Sequence, residues 1–194
     1  MATDGKSQSF DFVVIGGGPG GYVAAIRASQ LGFKVAVIER ENMGGVCLNW
    51  GCIPTKALLK SAEVRHYVEN LDDYGMSLEG KVTVDMKAVI ARSRGVAAKL
   101  SGGIDHLMRK NKVTVIKGNA SLGSLRGGQR EVLIEGADGP VLAGNVILAT
   151  GARASTPPHI TPDGKKILTY RDALQLDRQL KSVVIIGSGA IGVE

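Results

Sequence analysis

The sequence predicts an α/β fold: a parallel central sheet with helices packed on it, a small antiparallel β-meander, and the start of a second unit of the first kind. Three observations carry that prediction. The apolar run from Phe10 to Ile15 opens directly onto Gly16-Gly17-Gly18-Pro19-Gly20-Gly21 and is followed by a helix-compatible stretch and another apolar run. A long amphipathic segment then leads into short strands separated by turn residues. Finally, Val183-Val184-Ile185-Ile186 runs into Gly187-Ser188-Gly189-Ala190-Ile191-Gly192 and repeats the opening arrangement.

Composition agrees. The chain has 194 residues, 44% hydrophobic and 22% charged, which excludes wholesale disorder. Glycine occurs 27 times, roughly twice ordinary usage, without a collagen period, so the glycines belong at demanding turns. Aromatic residues are only 4%, which argues against a stacking surface for single-stranded nucleic acid. The net charge of +6 is spread among interleaved acids with no basic block, so no nucleic-acid partner is expected. No apolar run is long enough to span a bilayer, so no membrane partner is expected either. The polar start, Met1 to Ser9, lacks a signal-peptide layout, and the cytoplasm is the expected setting.

Taken in order, Phe10 to Ile15 reads as a buried strand and Tyr22 to Ala28 as a helix closed by Gly32. Lys34 to Ile38 is a second strand, with Glu39 directly after it. Residues 40–53 read as a glycine-rich loop around Cys47 and Cys52. Pro54 suits the first turn of a helix over residues 54–70. Residues 71–84 connect to a long amphipathic helix over 85–110, which Gly95, Gly102 and Gly103 weaken. Strands are expected over 113–117, 131–135 and 141–149, the last ending in Ala149-Thr150-Gly151. Residues 152–166 carry Pro157, Pro158 and Pro162 and read as a linker, 170–176 as a short helix, and 183–186 as a strand. That last strand and turn lack most of their helix and any second strand, so the chain reads as part of a longer polypeptide.

Gly16-x-Gly18-x-x-Gly21, after a strand and before a helix, is the fingerprint of a Rossmann-like dinucleotide site. The first glycine makes the tight turn, the second admits a pyrophosphate, and the third lets helix and strand approach. The phosphates then face free N–H groups at the helix N-terminus. Glu39 is placed to accept hydrogen bonds from ribose hydroxyls, and an acid there favours FAD or NAD over NADP. Gly187-x-Gly189-x-x-Gly192 is a second fingerprint, and two in one chain suggest a flavin and a nicotinamide.

The spacing of Cys47 and Cys52 is not that of a zinc site, and His66, His106 and His159 are isolated, so no metal is expected. Helical positions five apart point about 140° apart, so bonding these cysteines requires a bend, which Gly51 permits. Cys52 lies beside a helix N-terminus and close to Lys56, where a thiolate is favoured. If the two are bonded, redox chemistry is the reason. Two unpaired buried cysteines, and a glycine turn that binds nothing, are the plain alternatives.

The order of these motifs resembles the flavin-dependent pyridine nucleotide–disulfide oxidoreductases. The likeness runs from Gly16-x-Gly18-x-x-Gly21 with Glu39 through Gly44-Gly45-Val46-Cys47-Leu48-Asn49-Trp50-Gly51-Cys52-Ile53-Pro54-Thr55-Lys56 and Ala149-Thr150-Gly151 to the second fingerprint with Glu194. Leu48 and Ile53-Pro54-Thr55-Lys56 lean towards the members acting on lipoamide rather than glutathione or mercuric reductases. Trp50 and Thr55 depart from the Val and Ser commonest in the family.

The resemblance implies an FAD-binding domain over residues 1–153 carrying a redox-active Cys47–Cys52 disulfide, a linker over 154–180, and the beginning of an NAD-binding domain over 181–194. It implies Gly16, Gly18 and Gly21 on the FAD pyrophosphate and Glu39 on its ribose. Gly45, Lys56, Gly118, Ala120 and Gly151 complete the pocket. Cys52 would face the flavin and Cys47 would exchange with the dithiol substrate, while Lys56 would sit near the flavin N5 and pair with Glu194. Gly187, Gly189, Gly192 and Glu194 would serve NAD. The implied activity is oxidation of dihydrolipoamide by NAD+. The implied partners are the lipoyl domain of a 2-oxo acid dehydrogenase acyltransferase and, for the full-length protein, a second copy in a homodimer. The family's histidine base belongs to a C-terminal domain beyond residue 194, so little lipoamide-dependent NADH formation is expected of these residues alone.

Overall fold

The computed structural model describes residues 8–194. The chain divides into two compact units, residues 1–47 with 100–152 and residues 48–99 with 153–194.

The first unit is built on one six-stranded sheet. Strands β1 (Ser9–Ile15), β2 (Val35–Glu39), β3 (Thr114–Lys117), β4 (Ala120–Arg126), β5 (Gln129–Ile134) and β6 (Val141–Leu148) stand in the order β3-β2-β1-β6-β5-β4. The first four in that order are parallel, with Phe12↔Val35 through Ile15↔Ile38, Ile15↔Leu148 and Ala36↔Thr114 setting the register. The last two pairings, β6 with β5 and β5 with β4, are antiparallel and make the meander. Strand alternation explains why the centre is apolar throughout. Phe10, Val13, Ile15, Ala36 and Ile38 join Val132 and Ala143 in one buried cluster. Val14, Val35 and Val37 are buried on the other face, where helix α1 (Pro19–Gln30) packs on β1 and β2.

The end of α1 is set by Gly32. Its φ of +93° lets its N–H reach Ser29 O at 3.0 Å and the Phe33 N–H reach Ala28 O at 3.2 Å, a Schellman cap. Helix α4 (Met86–Lys110), which contributes residues 100–110 to this unit, ends the same way. The Lys112 N–H donates to Arg109 O and the Val113 N–H to Met108 O, both at 3.0 Å. There the left-handed residue is Lys112, at φ +54°.

The strand β4 has no counterpart among the expected ones. Its sequence, with Ser121, Gly123 and Ser124, lacks an alternating apolar pattern because it is an edge strand. Among the described residues it pairs with β5 alone, and the register shifts between Leu122 and Leu125.

The second unit contains helix α3 (Cys52–Glu69), a 3-10 turn (Leu71–Tyr74), residues 86–99 of α4, and short helices α5 (Tyr170–Ala173) and α6 (Ala190–Val193). Pro54 and Ala57 of α3 and Ser93 and Ala97 of α4 are buried. Two expectations are corrected. Residues 40–53 are not all loop: helix α2 (Gly45–Trp50) lies within them, with Leu48 and Asn49 buried, and α3 begins at Cys52, two residues before Pro54. Residues 183–186 form no strand; Val184 is 88% exposed, and a β-ladder needs a neighbouring strand.

Among the described residues, no helix is long and apolar enough to cross a membrane.

Candidate functional site

The carboxyl ends of β1, β2 and β6 meet at the first glycine turn. Gly16 donates its N–H to Ile38 O at the end of β2, and Ala149 donates to Ile15 O at the end of β1, both at 2.8 Å. In open parallel sheets this end is where ligands bind. Gly16 has φ +108°, and a Cβ there would fall 2.2 Å from Ala149 O. A Cβ on Gly21 would fall 1.8 Å from Gly16 O. Both glycines are therefore demanded by the chain itself.

Gly18 differs. It has an ordinary φ of −74°, and its Cβ would meet nothing nearer than Gly45 Cα at 3.8 Å. Gly45, at φ +58°, closes the other side: its own Cβ would fall 2.7 Å from Gly18 Cα. The N–H groups that open α1 have an exposed approach, since Pro19 and Gly20 are both exposed.

Glu39 ends β2 and braces the turn. Its carboxylate accepts the Gly17 N–H and the Glu41 N–H, each at 2.7 Å. Met43 is buried behind Gly17, and its carbonyl accepts the Ser101 hydroxyl at 2.6 Å. A shallow cavity beside Glu39 is lined by Asn42, Met43, Ser101, Asp105 and Lys117. Gly118, at φ +157°, donates to Glu39 O at 3.0 Å, and Ala120 starts β4 just beyond it. Gly151, at φ +71°, follows β6. Gly16, Gly18, Gly21, Glu39, Gly45, Gly118, Ala120 and Gly151 thus all belong to the first unit. Met43 and Ser101 belong to it too, although no sequence signal marks them.

Cys47, on α2, and Cys52 are both half-buried. Cys52 is the first residue of α3, with Gly51 as its N-cap at φ −146°, ψ −117°. Lys56 lies one turn further along α3 and is exposed. The dipole at that helix end favours an anion.

The second fingerprint repeats the first locally. Gly187 has φ +113°, Gly189 has φ −74° and ψ 179°, and a Cβ on Gly192 would fall 2.2 Å from Gly187 O. Glu194 is exposed.

The family model described as pyridine nucleotide-disulphide oxidoreductase matches residues 10–194. The chain is 50% identical to the dihydrolipoyl dehydrogenase of Rhizobium etli, aligning 97% of this chain with 42% of that protein. It is 52% identical to the dihydrolipoyl dehydrogenase of Zymomonas mobilis, with 97% and 40% aligned. The crystal structure of LpdA from Mycobacterium tuberculosis is similar at a TM-score of 0.76 and 27% identity, covering 88% of this chain and 38% of that one. The chain therefore spans about two fifths of the length of these relatives.

Proposed function

The chain belongs to the pyridine nucleotide-disulphide oxidoreductase family, and we propose that it is the flavin-binding part of a dihydrolipoyl dehydrogenase, which oxidises dihydrolipoamide and reduces NAD+. The observation that carries the reading is Gly18. Gly16 and Gly21 are glycines because main-chain oxygens leave no room for a Cβ, whereas among the described residues nothing crowds Gly18. A glycine there has a reason once a pyrophosphate must approach its backbone. The cradle fits FAD on chemistry as well: N–H groups at the start of α1 for the diphosphate, and the Glu39 carboxylate for the ribose hydroxyls. Gly45, Gly118, Ala120, Gly151 and Lys56 complete the proposed pocket.

Bound FAD supplies two-electron transfer between a dithiol and a nicotinamide. The chain's own share is as follows. Cys47 and Cys52 form the disulfide, Cys47 exchanges with the dithiol of the substrate, and Cys52 is left as a thiolate. The N-terminus of α3 and the Lys56 ammonium hold that negative charge. Glu194 is the proposed partner of Lys56. The turn at Gly187, Gly189 and Gly192 serves NAD. The partners of the complete protein are the lipoyl domain of a 2-oxo acid dehydrogenase acyltransferase and a second copy of itself, and its setting is the cytoplasm.

The test is flavin binding by the purified chain and by Gly18→Ala. The chain should take up FAD, with a visible band bleached by dithionite. Gly18→Ala should unfold at the same temperature but bind FAD at least tenfold more weakly. A chain that takes up no FAD, or a Gly18→Ala variant that binds it equally well, refutes the reading.

A further inference from the structure

Three consecutive residues of α4 each donate a hydrogen bond to a main-chain carbonyl of the segment that carries Cys52. Arg92 Nη1 reaches Ala57 O at 2.8 Å, Ser93 Oγ reaches Pro54 O at 3.0 Å, and Arg94 Nη1 reaches Asn49 O at 2.5 Å. Ser93 is fully buried. The Arg94 guanidinium also lies over the Trp50 ring, 4.2 Å from its centroid, and the Arg171 guanidinium lies 5.1 Å from the same centroid.

Each contact has a physical reason. Asn49 is in the last turn of α2, where carbonyls lose their intrahelical donors and a cation is the favoured partner. Gly51 then turns the chain before α3 begins. Trp50 offers the broadest ring face to a guanidinium. Burial holds the Arg94 guanidinium below the ordinary arginine range, so this cation has given up water for these contacts. Asn49 and Trp50 both lie between the two cysteines in sequence.

We propose that Arg94, backed by Trp50, is a positioning residue that fixes the chain between Cys47 and Cys52 and so sets how strongly those two sulfurs favour the disulfide over the dithiol. The proposal rests on reading the two cysteines as a redox pair. Arg94 acts on the Asn49 carbonyl and the Trp50 ring, so its effect is on effective concentration: holding the intervening residues in one bend raises the concentration of one sulfur at the other.

The experiment equilibrates the 194-residue chain with mixtures of reduced and oxidised glutathione and counts thiols by alkylation and mass. Oxidised glutathione accepts two electrons and two protons from the two cysteine thiols. One sulfur–sulfur bond forms in the chain, and the bond in oxidised glutathione breaks to leave two glutathione thiols. Arg94→Met should lower the equilibrium constant for the intrachain bond about tenfold, the size of one charge-assisted hydrogen bond. Arg94→Lys should recover part of the loss, since an ammonium can donate to the carbonyl but cannot stack as a plane. Trp50→Phe should cost about threefold, because the smaller ring holds the cation less well. Trp50 is the only tryptophan in the chain, so its emission reports independently whether Arg94→Met has lost the stack. An unchanged constant in Arg94→Met, with a shifted Trp50 emission, overturns the positioning role and leaves the redox pair standing. A parent chain that forms no intrachain bond at any ratio overturns the redox pair and the proposal with it. Should Arg94→Met fail to fold, constants equal to the parent's in both Arg94→Lys and Trp50→Phe overturn the proposal.

Discussion

Two neighbouring glycines should respond in opposite directions to the same substitution. Gly20 and Gly21 are consecutive in the first turn of α1, and both are glycine in the sequence. Among the described residues, a Cβ on Gly20 meets nothing within 4 Å. Gly20→Ala therefore adds no clash and reduces the freedom of the unfolded chain, stabilising by about 0.5 kcal/mol. A Cβ on Gly21 falls 1.8 Å from Gly16 O and 2.9 Å from Gly16 C. These are main-chain atoms at the end of β1, so no side chain can swing aside. The helix must move off the strand or the turn must open, at about 3 kcal/mol, the upper part of the overpacking range. For a chain of this size each kcal/mol moves the thermal midpoint by about 2–4 °C. Thermal unfolding followed by circular dichroism should place Gly20→Ala about 1–2 °C above the parent and Gly21→Ala about 6–12 °C below it. Gly21→Ala melting with the parent would refute the close-packing account of this turn. Gly20→Ala melting as low as Gly21→Ala would show that the glycines act through flexibility, not space.

Other perturbations test other parts of the structure. Lys112 is exposed and holds a left-handed φ of +54° at the end of α4, so Lys112→Gly should stabilise by about 1 kcal/mol, read as a higher urea midpoint. Glu39→Gln leaves one carbonyl oxygen where two carboxylate oxygens accept the Gly17 and Glu41 N–H groups, so it should destabilise by about 1–3 kcal/mol, read the same way. Asp163 accepts the Lys165, Ile167 and Lys166 amides on one oxygen, and these bonds hold its carboxyl below the usual range. A depressed folded value means that its contribution is present at neutral pH and is lost as pH falls through that value. Exchange of those three amides should accelerate on acidification in the parent and be insensitive to pH, beyond the intrinsic rate, in Asp163→Asn.

What was legible in the sequence is what local chemistry dictates. The β1–turn–α1–β2 order, with Glu39 at the strand end, follows from an apolar run, a glycine pattern and a second apolar run, and the structure forms it at those residues. The long helix is expected over 85–110 and found at Met86–Lys110, because its apolar spacing outweighs three glycines that have open space around them. Other features depend on what comes to lie nearby. Residues 45–50 sit in a glycine-rich stretch and read as loop, yet they form a helix with Leu48 and Asn49 buried. Arg92, Ser93 and Arg94 look like an ordinary polar stretch, and only the carbonyls they meet, 35 to 45 residues away, give them meaning. Met43 and Ser101 brace the glycine turn for the same reason, 58 residues apart.

The two fingerprints separate these kinds of information within one chain. Their glycines adopt the same angles: φ +108° and +113° at the first, φ −74° at the second in both copies. The third glycine of each would drive a Cβ into the oxygen of the first, at 1.8 and 2.2 Å. Even the apolar neighbour is matched, Val14 Cγ1 at 3.4 Å in one and Ile185 Cγ2 at 3.5 Å in the other. The flanking segments nonetheless differ: residues 12–15 lie in β1 between β2 and β6, while 183–186 are exposed and form no strand. The turn is thus written in about six residues, through sterics that need no neighbours. The strand is not, since its N–H and C=O groups require other chain to pair with. An apolar run therefore states which segment can become a strand, and the pairing partners decide whether it does.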